Sequence, residues 1–410
     1  MEAKDVVIVA YGRSPLARDR KGSMAQMHPI EFGAQVLNGV LARVKDRDGK
    51  QCLESKEVED VITGCAMQMG DQAMNISQLI ANRAGWDDCV SGMSINRFCS
   101  SGLQSIALAA NAIAMGQGDC YFAGGIESMS KCFRIWPSYE GKCEDEWLSK
   151  NYPGAYMSMG MTAENVAKDF GLTREQMDAF AVESQRKAAE AQAAGKLDPS
   201  IIPILITDNM GNPVLDENGN KQYCTKDESL RPGTTMESMA KLKPCFIPEE
   251  EGGIVTAGTS STTNDCAAYV VLMSAEMAAA KNIAPICRLK SFAVAGCDAT
   301  RMGLGPWFAT PKAMARAGMT VDDMDTIEIN EAFASQSMVC IDKLGLNMEK
   351  VNPYGGAMAL GHPLGATGAV LVGKAIDRLR EIGGKYALVT MCIGGGMGAA
   401  GILERCEEDF

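Results

Sequence analysis

Two stretches of this chain carry the same order of elements at a nearly constant separation. Val58-Glu59-Asp60-Val61-Ile62-Thr63-Gly64-Cys65 is answered by Asp323-Met324-Asp325-Thr326-Ile327-Glu328-Ile329-Asn330, an offset of 265, and the turn at Cys99 by the turn at His362, an offset of 263. In the opening 125 residues strand and helix patterns alternate. The spacing predicts strands over Val6–Ala10, Val58–Gly64, Ser94–Phe98 and Asp119–Gly124. It predicts helices over Pro29–Val44, Ile76–Ala84 and Leu103–Met115. That alternation indicates an α/β chain with a mostly parallel sheet and helices on both faces. Two copies of one such unit would set their reactive turns face to face across a pseudo-two-fold axis.

From Ile126 to Gly253 the texture changes. Prolines recur from Pro137 to Pro248, the run Asp216-Glu217-Asn218-Gly219-Asn220 reads as a turn, and Met177–Ala194 reads as an amphipathic helix. This stretch reads as an insertion before the last strand of the first unit, Ala267–Met273. The expected organisation is residues 1–125 and 254–281 as one half, 126–253 as an inserted domain, and 282–410 as the second half.

Composition excludes several classes. A net charge of −12 argues against general binding of nucleic acid or anionic membranes, which needs broad basic surfaces. Fifteen cysteines is an odd number, and no two have the C-x-x-C spacing of zinc or thioredoxin sites, so neither a metal nor a disulfide framework is expected. The 27 methionines read as packing. No apolar run approaches the roughly 20 residues that span a bilayer. Met1-Glu2-Ala3-Lys4-Asp5 opens on charges rather than as a signal peptide, and Glu407-Glu408-Asp409-Phe410 is no peroxisomal address. The expectation is a soluble protein of a reducing cytoplasm.

Cys99 lies in Asn-Arg-Phe-Cys-Ser-Ser-Gly, between a strand pattern and a small-residue helix. It is either a buried structural cysteine or a nucleophile, whose thiolate the positive end of the helix would favour. Only two histidines exist. His28, before Pro29, reads as a surface or capping residue. His362 lies among glycines ahead of a helix pattern over Ala369–Arg380 and is the candidate base. Cys392 follows a strand over Tyr386–Met391 and precedes three glycines, whose amides could converge on an oxyanion. Gly396-Met397-Gly398-Ala399-Ala400-Gly401 matches G-x-G-x-x-G, but too little chain follows for a dinucleotide fold, so it reads as a closing strand.

Asn-Arg-Phe-Cys-Ser-Ser-Gly-Leu-Gln at 96–104, Gly-Gly-Ile-Glu-Ser-Met-Ser at 124–130 and Asn-Glu-Ala-Phe-Ala at 330–334 resemble the thiolase family. So do Gly-Gly-Ala-Met-Ala-Leu-Gly-His-Pro-Leu-Gly at 355–365 and Cys-Ile-Gly-Gly-Gly-Met-Gly at 392–398. The resemblance runs from the first strand to the last. It implies duplicated βαβαβαββ halves in a five-layered α-β-α-β-α core with an inserted loop domain, assembled as a homodimer or homotetramer. Coenzyme A and acyl-CoA would be substrates, with no resident cofactor. Cys99 would be the acylated nucleophile, His362 the base toward Cys99 and coenzyme A, and Cys392 the acid/base at the α-carbon. Asn330 would hold a water that, with His362, forms one oxyanion hole; the Cys99 and Gly394 amides would form the other. Arg231 and Ser238 would contact coenzyme A near its adenine, Ser261 its pantetheine, with Met159 and Phe333 also among the binding residues. Lys221, Lys226, Arg231, Lys241 and Lys243, against Asp227, Glu228 and Glu237, would give a mildly basic patch.

The implied activity is thiolytic cleavage of 3-ketoacyl-CoA in the degradative, β-oxidation sense; the alternative is the biosynthetic acetyl-CoA C-acetyltransferase. Ser158, where many biosynthetic members have histidine, and Thr256-Ala257-Gly258-Thr259-Ser260-Ser261 resemble the degradative type. Trp307-Phe308 and Cys266 depart from the family pattern and bear on either the dimer contact or the acyl channel. A Cys-His-His ketoacyl synthase would need a second histidine better placed than His28. A non-catalytic CoA or lipid binder would be expected to lose one of Cys99, Asn330, His362 and Cys392, and all four are present.

Overall fold

A computed structural model describes residues 4–135 and 143–406; Pro137 and the closing Glu407-Glu408-Asp409-Phe410 lie outside the described residues. The chain opens with β1 (Val6–Arg13), an apolar run suited to a strand covered on both faces. Helix α1 (Pro29–Leu41) follows, with proline in its first turn and the His28 imidazole accepting the Ile30 N–H, which makes His28 a cap. Then come β2 (Asp60–Gly64), α2 (Ile76–Arg83), β3 (Ser91–Ile95), α3 (Ser101–Ala114) and β4 (Cys120–Ser128). Helices α4 (Met159–Asp169) and α5 (Arg174–Ala193) precede β5 (Asn264–Ser274). The second half runs β6 (Cys287–Gly296), α6 (Gly305–Ala317), β7 (Thr326–Ile329), α7 (Ala334–Leu344), α8 (Leu364–Ile382), β8 (Tyr386–Ile393) and β9 (Met397–Arg405).

The first half orders its strands β3-β2-β4-β5-β1 and the second β7-β8-β9-β6. Val351 bridges Ile327 in parallel, at the place β3 holds beside β2. The halves join at the edge through one pair, Ile8 with Cys287. Asp60 pairs with Tyr121 and Thr326 with Ala387, so the duplication equates Asp60 with Thr326, one residue beyond the Asp325 that sequence comparison aligned.

Alternation along β5 shows why its whole length is buried. Cys266, Ala268, Val270 and Leu272 face α3 and α8, while Ala267, Tyr269, Val271 and Met273 face α1 and α2. On the other side of α3 and α8, Ala387, Val389, Met391 and Ile393 of β8 close the central cluster. The outward residues Ile327, Leu388, Ala400 and Ile402 pack under α6 and α7. Five layers result: helices, sheet, a central helix pair, sheet, helices.

The central pair approaches closely. A Cβ placed on Gly368 of α8 would lie 2.2 Å from the Leu103 amide nitrogen, and one on Gly102 of α3 would lie 2.8 Å from the Gly365 carbonyl oxygen. Neither position has room for a side chain.

Two expectations need correction. The strand predicted over Ser94–Phe98 ends at Ile95, because Phe98 turns into the left-handed region with φ of 43°. Strand β4 runs through Ile126 to Ser128, past the boundary drawn at 126. Segment 126–253 has a cluster of its own in part, Ala167, Met177, Ala181 and Met239 packing together with Ala334 and Met358 of the second half, and it also joins the other cores. Ala188 and Ala191 enter the central cluster, Ile202, Ile204 and Ile206 the cluster under α1 and α2, and Val166 packs with Leu304 and Val339.

One buried ion pair ties this segment to β1. Arg13 donates to both Asp227 oxygens at 2.6 and 2.8 Å, and Asp227 also accepts the Leu16 N–H at 2.8 Å. The two side chains are 2% and 0% exposed. Asp227→Asn strands the guanidinium and is expected to destabilise by about 3–5 kcal/mol, whereas the double change Arg13→Met, Asp227→Leu costs clearly less. Urea unfolding of the three proteins checks this ordering; equal losses in both variants would show that the pair itself stabilises.

Candidate active site

The Cys99 turn is built by its own neighbours. Asn96 Oδ1 accepts the Phe98 N–H at 2.8 Å, Ser101 Oγ accepts the Arg97 N–H at 2.9 Å, and the Ser101 hydroxyl donates to the Phe98 carbonyl at 2.7 Å. These bonds end the strand and place Cys99 in the single 3₁₀ turn, Phe98–Ser100, that leads into α3.

His362 comes from the matching turn ahead of α8. Its N–H donates to the Thr262 carbonyl at 2.9 Å, Nδ1 lies 2.7 Å from Thr367 Oγ1, and Nε2 lies 3.3 Å from Asn330 Nδ2. With the amide placed so that Nδ2 donates, Nε2 is the acceptor and Nδ1–H donates to Thr367. Asn330 follows β7 and is held by its N–H to the Thr390 carbonyl at 3.0 Å; its buried Oδ1 has no hydrogen-bond partner. Cys392, near the end of β8, is fully buried with Ala163, Val255, Met302, Ala332 and Phe333.

Desolvation governs the electrostatics. Burial pushes the Cys99 thiol up to about 11, although the Gly394 N–H and its own N–H pull the other way. The thiolate expected from the helix terminus is therefore not the resting form: burial outweighs the local amides. Burial likewise raises Cys392 well above the usual thiol range, and the neighbouring Cys99 thiol is the next cause. His362 is lowered by burial to about 4 from an ordinary 6.5. It is neutral when folded, so the stability linked to it is complete above about 6.5 and is lost as pH falls toward 4. Thiol and imidazole both rest neutral.

The binding residues fall into two groups. Arg231 and Ser238 line one cleft with Gln185, Gly258, Thr262 and Met358, and the Thr262 carbonyl in that cleft holds the His362 backbone. The Ser238 hydroxyl serves a helix cap: it accepts the Thr235 N–H at 3.0 Å and donates to the Thr235 carbonyl at 2.8 Å. Ser261 donates its N–H to the Ala332 carbonyl at 2.9 Å. Met159 and Phe333 instead pack with Cys392. The five basic residues from Lys221 to Lys243 are all exposed, while Asp227 is buried against Arg13 and Glu228 accepts the Arg18 and Ser23 amides.

Sequence reasoning missed the groups that hold the turns. Glu127 Oε2 accepts the Ala66 and Gly365 amides, both at 2.9 Å, and its Oε1 accepts from the Gln72 side chain at 2.8 Å. It joins the first half to the start of α8. Asn352 exchanges hydrogen bonds with Ile329, just before Asn330, and donates to Glu331 Oε1 at 2.7 Å. For Glu127 the available signal was a lone carboxylate inside the otherwise uncharged strand Cys120–Ser128. Trp307 and Phe308, rings stacked at 5.2 Å, belong to α6; Trp307 packs with the outer cluster. Cys266 is an inward packing residue of β5.

Residues 6–276 match the family described as "Thiolase, N-terminal domain", and residues 283–405 match "Thiolase, C-terminal domain". The chain belongs to the thiolase family. Its relatives include the 3-ketoacyl-CoA thiolase of Bacillus subtilis, 42% identical over 410 residues and covering 98% of this chain and 100% of that one. The peroxisomal 3-ketoacyl-CoA thiolase A of Rattus norvegicus is 42% identical over 98% of this chain and 89% of its own length. Among solved structures, the Bacillus anthracis acetyl-CoA acetyltransferase superposes with a TM-score of 0.86 at 34% identity, covering 99% of this chain and 100% of that one. This thiolase chain is thus a member of a family of acyltransferases. Among the described residues no cluster of His, Cys, Asp or Glu could hold a metal ion, and no helix is long and apolar enough to cross a membrane.

The neutral resting pair has a measurable signature. Iodoacetamide alkylation of Cys99, read by mass spectrometry on its peptide, is expected to climb without a plateau from about pH 7 to about pH 9. A plateau already reached at the lower end would show a thiolate in the free site.

Proposed function

We propose that this protein cleaves 3-ketoacyl-CoA with coenzyme A, giving acetyl-CoA and a shortened acyl-CoA, through a thioester on Cys99. The observation that carries the reading is the convergence on the Cys99 thiol, at its helix-starting turn, of an amide donor from Gly394 and a second thiol, Cys392, both from the end of β8 and the turn after it. His362 Nε2 takes the proton of Cys99 as its sulfur bonds to the ketone carbon. The C2–C3 bond then breaks, and Cys392 protonates the acetyl-CoA enolate at C2. The imidazolium proton restores Cys392, leaving His362 free to take the thiol proton of coenzyme A. Coenzyme A attacks the acyl group, and the departing Cys99 sulfur recovers that proton.

The unpartnered Oδ1 of Asn330 supports its role in holding a water beside His362. Low basicity of the resting imidazole suits a group that must release each proton it takes. The exposed basic residues around Arg231 suit the phosphates of coenzyme A. The relatives named 3-ketoacyl-CoA thiolase favour the degradative substrate. The acetyl-CoA acetyltransferase likeness supports acetoacetyl-CoA formation as the second reading. A homodimer or homotetramer in the cytoplasm, serving β-oxidation, completes the proposal.

Thiolysis of C4, C8 and C16 3-ketoacyl-CoA at equal concentration tests the substrate class; an acetoacetyl-CoA rate at least about tenfold above the C8 rate would favour the second reading. The thiols are expected to separate by role. Cys99→Ala ends both acyl-enzyme formation and turnover. Cys392→Ala still accepts an acetyl group on Cys99 but fails to exchange the methyl protons of acetyl-CoA with deuterium, and its turnover falls about 10²–10⁴-fold. Normal exchange in folded Cys392→Ala protein would assign the carbon acid to another residue. Arg231→Ala is expected mainly to raise the KM for coenzyme A, because its contact is the same in ground and transition states; a collapse of kcat at constant KM contradicts this.

A further inference from the structure

We propose that Phe98 sets acyl chain-length preference, its ring forming the shelf on which the carbons beyond a four-carbon 3-ketoacyl unit lie; this rests on the thiolytic reading above. An aromatic residue immediately ahead of the nucleophile adopts φ of 43°, a region where bulky side chains are genuine outliers. The bonds from Asn96 and Ser101 described above hold it there, so the conformation is imposed by the turn that presents Cys99.

The ring is not spent on the core. Phe98 is 42% exposed, while Cys99 beside it is 7% exposed. An asparagine or glycine would occupy this backbone more easily, so an exposed phenyl here gives the fold nothing that a smaller residue lacks. Its position gives it another use. A Cβ built on Gly394 would lie 3.8 Å from Phe98 Cγ and Cδ2 and 3.5 Å from Met159 Sδ. Ring and thioether therefore flank the glycine whose amide faces the Cys99 thiol, with the ring open to solvent.

Beyond Met159 the apolar surface continues. Met159 packs with Phe333, and Phe333 meets Phe246 edge to face at 6.1 Å. Acetoacetyl-CoA carries a single methyl beyond the attacked carbonyl. A 3-ketooctanoyl chain carries a flexible tail that must leave the buried pocket across something apolar. Phe98 offers that surface from the nucleophile's own turn, and Met159 offers it from α4.

The experiment compares kcat/KM on 3-ketooctanoyl-CoA and acetoacetyl-CoA for the wild type, Phe98→Asn and Phe98→Leu. Asparagine tolerates the left-handed backbone, so the Phe98→Asn thermal midpoint is expected at or above that of the wild type. Its loss on 3-ketooctanoyl-CoA is expected to exceed its loss on acetoacetyl-CoA by at least about tenfold. Phe98→Leu, apolar, keeps the ratio within about threefold of wild type. An unchanged ratio in well-folded Phe98→Asn protein overturns the proposal, as do equal losses on both substrates, which would make Phe98 a support of the Cys99 turn. A wild-type protein inert on both substrates would instead overturn the thiolytic reading, and this inference with it.

Discussion

The crossing of α3 and α8 is the contact on which the reactive geometry depends. Each helix begins at one reactive turn, and they meet at Gly102 and Gly368 with backbone against backbone. Side-chain packing can adjust by a rotamer; a contact without side chains has no such freedom. Glu127 adds a second constraint by accepting an amide from each half, at Ala66 and at Gly365. The spacing between the Cys99 and His362 turns is thereby set by main chain and one buried carboxylate. That is how a centre assembled from distant segments can be held tightly enough for proton transfer.

Two opposing electrostatic effects act on that centre, and their sizes decide its resting state. Amide donors and helix termini favour a charged sulfur, but they lie in a site from which water is largely excluded. Desolvation is the first cause of every shift there: Cys99 and Cys392 are raised and His362 is lowered. A pre-formed thiolate–imidazolium pair would be the better nucleophile at rest. The neutral pair is instead one in which charge appears only as the reaction proceeds, where the Gly394 amide and Asn330 are already aimed.

Much of this was legible in the sequence because it is local or periodic. The alternating elements, the near-constant offset between halves, and the glycine-flanked Cys99, His362 and Cys392 all follow from short-range patterns. What escaped depends on partners distant in the chain. Asp227 counts as a surface acid in the sequence, yet it neutralises Arg13 in the interior. Met159 reads as a binding residue beside the substrate marker Ser158, while the structure packs it with Cys392. Phe98 looks like the end of a strand because aromatic residues favour strands; Asn96 and Ser101 overrule that preference. The coupling of segment 126–253 to both halves was invisible for the same reason, since its alanines and isoleucines pack into clusters begun elsewhere.

The position of β5 has a consequence for how the chain is made. It lies between β1 and β4, yet it is contributed by Asn264–Ser274. Until those residues leave the ribosome, the strands on either side of it have no partner between them, and the first half cannot close. Bringing β5 home also requires a long loop to be drawn in, which is slow. The second half closes over a shorter span: β9, which lies between β8 and β6, follows β8 after a three-residue turn. The nascent first half is therefore the stage most exposed to aggregation. Arrival of residues 264–274 is the event that commits the chain to its fold.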